Sequence, residues 1–165
     1  MMKFLVSRRI GNLAGFLLCA GMLAFGYTLQ FVVGLEPCPL CIIQRLLLFA
    51  AGVAFLVAAL HHPAGRLGAS VYGGLIAVLA TLGVAVAGRH VWLQHLPPER
   101  RPACGPALDH LLSTFGPIEG MSRVLRGSGE CGVVDWTLLS FSIPEWTLAA
   151  FVALSVWAVF LALRD

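Results

Sequence analysis

The sequence predicts an all-α membrane protein, a bundle of four transmembrane helices with a long loop between the third and fourth helices. Of its 165 residues, 59% are hydrophobic and only 12% are charged, whereas soluble domains average roughly 45–50% and about 25%. The few charges divide the chain into four apolar runs, and a helix needs about 20 such residues to cross the hydrocarbon core. The net charge of +3 is too small to indicate a nucleic-acid partner.

The spanning segments are predicted at about 11–33, 42–60, 67–89 and 145–163, within one domain that covers residues 1–165. Each segment must satisfy its own backbone hydrogen bonds in lipid, so helices are expected rather than strands. The first apolar run is too long for the apolar part of a cleaved signal peptide, so it is assigned to helix one. The second run is ended early by His61, His62 and Pro63.

The remaining segments are predicted as loops on one side of the membrane, at about 34–41 and 90–144. The segment from Arg89 to Glu145, which includes the longer loop, contains 11 of the 19 charges and most of the prolines. Within it, four apolar residues share one helical face: Ile118, Met121, Val124 and Leu125. Their spacing predicts a short amphipathic helix that either lies on the membrane surface or covers a small core of the loop itself.

The orientation in the membrane is inferred from the start of the chain, because positive residues are equally numerous on the two sides. Lys3, Arg8 and Arg9 precede helix one, which usually dominates insertion and keeps its positive flank inside. Both termini are therefore expected in the cytoplasm and both loops on the outer side. Trp92 and Trp146, at the outer ends of helices three and four, fit an interfacial aromatic belt.

Four of the five cysteines lie in or beside the predicted outer loops: Cys38, Cys41, Cys104 and Cys131. Paired cysteines on the oxidising side of a membrane favour disulfides. The fifth, Cys19, lies within helix one among leucines and alanines and is predicted to be an apolar packing residue.

Cys38 and Cys41 form a Cys-x-x-Cys sequence at the start of helix two. A disulfide across so small a ring adds little stability through chain entropy. An exchangeable redox pair is therefore favoured over a structural clip, and the helix N-terminus favours a thiolate on Cys41. A zinc site completed by Cys104 and Cys131 is the alternative, but their spacing is unlike that of structural zinc sites, and no metal is expected.

Cys104 and Cys131 lie far apart in a loop rich in proline, glycine and arginine. A disulfide between them could be a simple loop staple. The Cys-x-x-Cys on the same membrane face instead favours a relay of electrons between two pairs, because mobile, exposed disulfides are the exchangeable ones.

Arg45 lies one turn after Cys41 within helix two, where a charge is costly and indicates a function. It either extends to the lipid headgroups or binds a polar oxygen near the Cys41 sulfur. An electron acceptor at that place must reside in the membrane, so a quinone is predicted, with a carbonyl that an arginine can polarise. His90, at the outer end of helix three, is expected to bind the other carbonyl or to carry protons.

These residues together resemble the DsbB family of disulfide bond formation proteins. The resemblance rests on Pro37-Cys38-Pro39-Leu40-Cys41 followed by Arg45, on Arg89-His90 before the long loop, and on Cys104 with Gly129-Glu130-Cys131. It implies a multi-pass thiol:quinone oxidoreductase of the bacterial inner membrane. Such an enzyme reoxidises a periplasmic DsbA-type thioredoxin-fold protein and uses ubiquinone or menaquinone.

The resemblance also implies how the cysteines act. The partner attacks a Cys104–Cys131 disulfide and forms a mixed disulfide with Cys104. A Cys38–Cys41 disulfide then reoxidises the loop pair through a transient Cys38–Cys131 bond, and Cys41 passes electrons to the quinone.

Two further positions match residues of the family, and a third departs from its pattern. Arg45 corresponds to the quinone-site arginine of the family, and His90 to a histidine near the quinone. Gln44 departs from the family pattern, because some members carry an acidic residue there.

Two other interpretations stay open at this point. A vitamin K epoxide reductase-like protein is also a helical bundle with a Cys-x-x-Cys, but that family places the motif late in the bundle rather than at the start of helix two. A membrane scaffold or small transporter with two structural disulfides would need no electron acceptor.

Overall fold

The computed structural model describes residues 7–63, 65–103, 105 and 108–164. Its helices are α1 (Arg8–Phe31), α2 (Pro39–His61), α3 (Arg66–Gln94), the shorter α4 (Leu108–Arg126) and α5 (Ile143–Leu163). The helices α1, α2, α3 and α5 are each long and apolar enough to cross a membrane. This confirms the predicted four-helix bundle with a helix in the connection between the third and fourth spans.

The ends of the spanning helices follow from capping residues. The Ser7 hydroxyl accepts a hydrogen bond from the Ile10 amide at 3.3 Å and begins α1. Pro39 occupies the first turn of α2, where its missing N–H is not needed. The same helix ends at His61, and His62 adopts a left-handed conformation as the C-cap. Helix α3 continues beyond the predicted segment to Gln94, so the long connection begins later than expected.

The core lies where small residues allow the helices to approach closely. The most extensive packing joins α3 to α5 and α1 to α2. Gly15 lies against the ring of Phe55, and Gly83 lies against the ring of Phe151; both rings are fully buried. Cys19 is fully buried in the same core, which confirms its packing role. Close contact at small residues is how helices associate in lipid.

The connection between α3 and α5 folds over the end of the bundle where α2 begins and α3 ends, called here the cysteine end. Helix α4 is kinked at Gly116, which has a φ of 75° and precedes Pro117. The four residues of the apolar face predicted for this helix differ in burial. Val124 is buried in the cluster that contains Cys131, whereas the side chains of the other three apolar residues are exposed: Ile118, Met121 and Leu125.

A short hairpin and a polar contact join the connection to α5. The strands β1 (Thr137–Leu138) and β2 (Phe141–Ser142) pair antiparallel. The Ser142 amide donates to Glu145 Oε2 at 2.6 Å, and the Ser142 hydroxyl donates to Gln94 Oε1 at 2.8 Å. These bonds tie the start of α5 to the end of α3 at the cysteine end.

Gly83→Ala should lower the thermal stability of the detergent-solubilised protein. An added Cβ would lie 2.3 Å from ring atoms of the fully buried Phe151, and overpacking of this kind typically costs about 1–3 kcal/mol. Gly74→Ala, on the same helix, is the matched control because its added Cβ would meet no described atom within 4 Å. Equal melting midpoints for the two variants in scanning fluorimetry would contradict the packing at Gly83.

Candidate functional site

Three sulfur atoms and one imidazole meet at the cysteine end. The Sγ atoms of Cys38 and Cys41 are 3.1 Å apart. His90 of α3 reaches both of them, with Nε2 3.7 Å from Cys38 Sγ and Nδ1 3.9 Å from Cys41 Sγ. Cys131 joins them from the loop, so that the donor atoms of Cys38, His90 and Cys131 all lie within 4.8 Å of one another.

The start of α2 holds the Cys-x-x-Cys pair together. Cys38 is the N-cap residue, and its Sγ accepts a hydrogen bond from the Cys41 amide at 3.4 Å, a role usually filled by the oxygen of Ser, Thr, Asp or Asn. The pair therefore lies at the positive end of the helix dipole, where a thiolate is stabilised. One local element both brings the sulfurs together and favours their reactive form.

Cys131 follows a left-handed turn at Gly127, a backbone conformation that favours glycine. Gly127 has a φ of 85°, and an added Cβ there would lie 2.2 Å from Leu93 Cδ1. Directly after this turn, a short 3-10 helix (Gly129–Gly132) carries Cys131, which is fully buried. The Ser128 Oγ lies 3.7 Å from the Cys131 Sγ. The chain at Gly127 thus packs closely against Leu93, and this brings the Cys131 sulfur to the start of α2.

Arg101 stabilises the other side of this loop. Its Nε donates to the Leu96 carbonyl at 3.1 Å, and a terminal nitrogen donates to the Gln94 carbonyl at 3.3 Å. The side-chain stem of Arg101 packs against Gly132, where an added Cβ would come within 2.9 Å of it. The two carbonyls belong to the last turn of α3 and the residues after it, so Arg101 joins the Cys131 segment to that helix end.

The Cys131 thiol is electrostatically unlike an ordinary thiol. Its hydrogen bond to the Cys38 sulfur raises the pKa of Cys131, and burial raises this pKa further. The thiol therefore keeps its proton in this arrangement. A thiolate at Cys131 would be a strong nucleophile, because intrinsic nucleophilicity increases with thiol pKa.

Gln44 is a site residue to which the sequence assigned no role. It is almost fully buried, as is His90, and its Nε2 lies 3.1 Å from His90 Nδ1. When the Gln44 amide donates to Nδ1, this nitrogen has no proton of its own. The proton of a neutral His90 then lies on Nε2, the nitrogen that faces Cys38. The sequence signal was a polar residue three positions after Cys41 in an otherwise apolar helix.

Arg45 connects α2 to α1. One terminal nitrogen donates to the Gly26 carbonyl at 3.0 Å, and the other donates to Gln30 Oε1. The guanidinium also lies over the Tyr27 ring, 5.1 Å from its centroid. These contacts join the charge of Arg45 to groups of α1. Gln30 and Tyr27 were not singled out in the sequence, although polar residues near the end of helix one were a usable signal.

The predicted site residues therefore separate into three groups. Cys38, Cys41, Cys131 and His90 come together, and Arg45 lies one turn further along α2, against α1. Cys104 lies outside the described residues. The Cys104–Cys131 and Cys38–Cys41 disulfides both stay predictions.

Disulfide exchange requires sulfur atoms that can reach one another and a thiolate to begin the attack. The cysteine end meets both conditions, and it does so at one end of four membrane-spanning helices. The fold and the site thus define a disulfide-forming oxidoreductase of the membrane.

Comparison with known proteins gives the family. The chain belongs to the DsbB family, because the family profile, Disulfide bond formation protein DsbB, matches residues 8–161. A relative from Chromohalobacter salexigens, named Disulfide bond formation protein B, is 51% identical over 149 residues, which cover 90% of this chain and 87% of the relative.

Two further relatives have the same name. The one from Xanthomonas axonopodis pv. citri is 46% identical over 160 residues, which cover 97% of this chain and 93% of the relative. The one from Methylococcus capsulatus is 46% identical over 155 residues, which cover 94% of each chain. The resemblance found in the sequence is confirmed, and a role in disulfide bond formation follows from it.

In the fully reduced protein, alkylation of Cys131 by iodoacetamide should still accelerate with pH above 9.0, the ordinary thiol pKa. The raised pKa keeps its thiolate fraction low there, so the rate should increase about tenfold per pH unit without a plateau. Cys38→Ala removes the hydrogen bond and should lower the pKa of Cys131. The alkylation rate of this variant should therefore reach its plateau at a lower pH than that of the wild-type protein. Mass spectrometry of the Cys131 peptide measures the rate, and a plateau near pH 9 in both proteins would contradict the assignment.

Proposed function

We propose that this protein is a thiol:quinone oxidoreductase that reoxidises a periplasmic DsbA-type dithiol protein and passes two electrons to a membrane quinone. One observation carries the proposal. The buried loop residue Cys131 lies beside Cys38, which in turn lies 3.1 Å from Cys41, sulfur to sulfur. The three sulfurs form a continuous path from the loop to α2, and disulfide exchange proceeds by direct attack of one sulfur on another.

The first half of the proposed cycle uses two attacks. A partner thiolate attacks Cys104 in a Cys104–Cys131 disulfide, so that a mixed disulfide forms and Cys131 leaves as a thiolate. Cys131 then attacks Cys38 in a Cys38–Cys41 disulfide, and Cys41 is released as a thiolate. The helix N-terminus stabilises this leaving group.

The second half restores the loop pair. The second partner thiol attacks the partner sulfur of the mixed disulfide, which releases the oxidised partner and a Cys104 thiolate. Cys104 attacks Cys131 in the Cys38–Cys131 disulfide, and Cys38 is released. A quinone accepts two electrons and two protons, which returns Cys38 and Cys41 to a disulfide. The net reaction converts one dithiol and one quinone to one disulfide and one quinol.

His90 lies where protons must move in this scheme. Its two ring nitrogens are 3.7 Å and 3.9 Å from the sulfurs of Cys38 and Cys41. Gln44 orients the ring through its contact with Nδ1. One ring nitrogen of an imidazole can accept a proton while the other donates one, so His90 suits the transfer of protons from the two thiols toward the acceptor.

Arg45 is the residue proposed to hold the quinone. A guanidinium has five N–H donors, and the bonds to Gly26 and Gln30 come from its two terminal nitrogens, each of which carries a second N–H. Leu46 and Phe49, beside Arg45 on α2, are exposed and offer apolar surface to a quinone ring and its tail. A charged donor beside lipid-facing apolar side chains suits a membrane-soluble acceptor with carbonyl oxygens. The residues present fit ubiquinone and menaquinone alike.

The energetics of the partner favour a quinone over soluble thiols. A DsbA-type couple, at about −120 mV, is far more oxidising than glutathione pools. Its reoxidation therefore needs an acceptor of higher potential, which a membrane carrier can supply. Membership of the DsbB family supports the same choice over the vitamin K epoxide reductase-like and scaffold interpretations.

The proposed location is the bacterial inner membrane, with both termini in the cytoplasm and the cysteine end in the periplasm. The whole chain, residues 1–165, would form one domain. Arg8 and Arg9 lie at the start of α1, at the opposite end from the cysteines, as the positive-inside rule requires. Trp92 and Trp146 are exposed near the cysteine end and suit an interfacial aromatic belt.

Purified protein should reduce a water-soluble ubiquinone analogue when a reduced DsbA-type partner is added, measured as loss of quinone absorbance. Cys41→Ser should lower the rate to the background without protein, because Cys38 then has no neighbouring thiol with which to form the disulfide that releases two electrons. Cys19→Ala is the control, because Cys19 is buried in the bundle core. Quinone reduction at the wild-type rate by Cys41→Ser would refute the mechanism.

Arg45→Met should raise the KM for the quinone analogue about 10–100-fold, since a hydrogen bond to a charged group contributes about 1.5–3 kcal/mol. The KM for the dithiol partner should stay unchanged, because the partner is proposed to bind at the loop. Arg9→Gln, an exposed arginine at the opposite end of the bundle, is the matched control. An unchanged KM for the quinone in Arg45→Met would remove Arg45 from the acceptor site.

A further inference from the structure

We propose that the reduced form of this site binds one Zn²⁺ ion through Cys38, Cys41, Cys131 and His90, and that the bound ion blocks disulfide exchange. The inference goes beyond the proposed function, because it concerns the thiol state of the cluster and needs neither the quinone nor the partner. Zinc contributes no electrons here. It displaces the thiol protons of the three cysteines and binds their thiolates.

The spacing of the donor atoms carries the proposal. In a tetrahedral site, Zn–S bonds of about 2.3 Å and Zn–N bonds of about 2.0–2.1 Å place the donor atoms about 3.5–3.8 Å apart. The sulfurs of Cys38 and Cys41 are 3.1 Å apart, and His90 Nε2, the proposed ligand atom, is 3.7 Å from Cys38 Sγ. Cys131 completes a group with Cys38 and His90 that lies within 4.8 Å. Cys38, Cys131 and His90 thus already lie together as three ligands, and Cys41, which is outside this group but 3.1 Å from Cys38, would move toward Cys131 and His90 Nε2 to become the fourth.

The donor set selects the class of metal. Three thiolates and one imidazole form a Cys₃His set, which is typical of closed structural zinc sites. Soft sulfur ligands favour Zn²⁺ or Cu(I) over Mg²⁺ and Ca²⁺. Four protein ligands leave no open position, so the ion would not activate water. It would instead keep each sulfur in a metal bond and prevent its attack on a disulfide.

The surroundings provide an outer partner and an entry path. If His90 binds the ion through Nε2, its Nδ1–H points at the Gln44 side chain, whose amide can rotate to present its oxygen. A ligating histidine almost always has such an acceptor on its other nitrogen. Cys131 and His90 are buried, whereas Cys38 and Cys41 are half-buried. The ion would therefore enter from the side of the Cys-x-x-Cys pair.

Oxidation controls this site. A Cys38–Cys41 disulfide removes two of the four donors, so the oxidised protein should not bind the ion. Binding is thus expected only while the dithiol state persists, as when the electron acceptor is scarce. Affinity should also decrease at low pH, because the three thiols must lose their protons.

The test uses the full-length protein in detergent, reduced and then freed of reductant without oxygen. Titration with Zn²⁺ against a chromophoric chelator should give one ion per chain for the reduced protein and none for the oxidised protein. Co²⁺ serves as the spectroscopic probe, and it should show sulfur-to-metal charge-transfer bands together with the visible bands of a tetrahedral site. Equal binding by reduced and oxidised protein would overturn the proposal.

Variants distinguish the proposed ligands from a set of four cysteines. Gln44→Leu removes the outer partner of His90 and should weaken Zn²⁺ binding by ~10–100-fold. His90→Ala removes a ligand and should weaken Zn²⁺ binding by more than this. Cys131→Ser should remove one sulfur from the cobalt charge-transfer intensity. Cys104→Ser and Cys19→Ala are the controls and should still bind one ion with wild-type affinity. Circular dichroism and thermal melting establish that each variant is folded.

Two results would refute the assignment of ligands. Wild-type affinity in both His90→Ala and Cys131→Ser would show that the ion binds elsewhere. Loss of binding in Cys104→Ser with retention in His90→Ala would assign the ion to the four cysteines instead. Quinone reduction by the zinc-free protein tests the proposed function separately, so failure of one proposal leaves the other standing.

Discussion

Lipid offers the polypeptide backbone no hydrogen-bond partners, and this constraint decides where chemistry can occur in the bundle. Within a spanning helix every N–H is used by the helix itself, so free donors are found only in the first turn. At the start of α2, Cys38 accepts one of them, from Cys41. The Cys-x-x-Cys pair lies where the helix leaves donors unsatisfied and where its dipole favours a thiolate, at the end of the apolar helix rather than within it.

The same helix, α2, directs Gln44 and Arg45 toward two different neighbouring helices. Consecutive residues of an α-helix point about 100° apart, because one turn contains 3.6 residues. Gln44 faces α3 and contacts His90 beside the sulfurs, whereas Arg45 faces α1 and contacts Gly26 and Gln30. Gln44 and His90 are both buried in the interior of the bundle. The charge of Arg45 lies instead toward α1, beside the exposed residues Leu46 and Phe49 of the same helix.

The loop was only partly predictable. Its amphipathic helix was expected from the spacing of four apolar residues, but whether that face met the membrane or the protein could not be decided. In the structure only part of this face is buried, since Val124 packs with Cys131 whereas Ile118 is exposed. The extension of α3 to Gln94 was also missed, because the charge of Arg89 interrupts the apolar run. That extension provides Leu93 and the carbonyls on which the Cys131 segment is built.

Local properties of the sequence were sufficient to determine the four spanning helices and the Cys-x-x-Cys pair. Each residue carries its own cost of transfer to lipid, and two cysteines three positions apart meet within one helical turn. Tertiary structure alone brought His90 and Cys131 to Cys38, residues far apart in the chain. Their meeting depends on a left-handed turn at Gly127, on close passage over Leu93 and on bonds from Arg101 to the end of α3. These are contacts between distant segments, which exist only when all the segments are folded together.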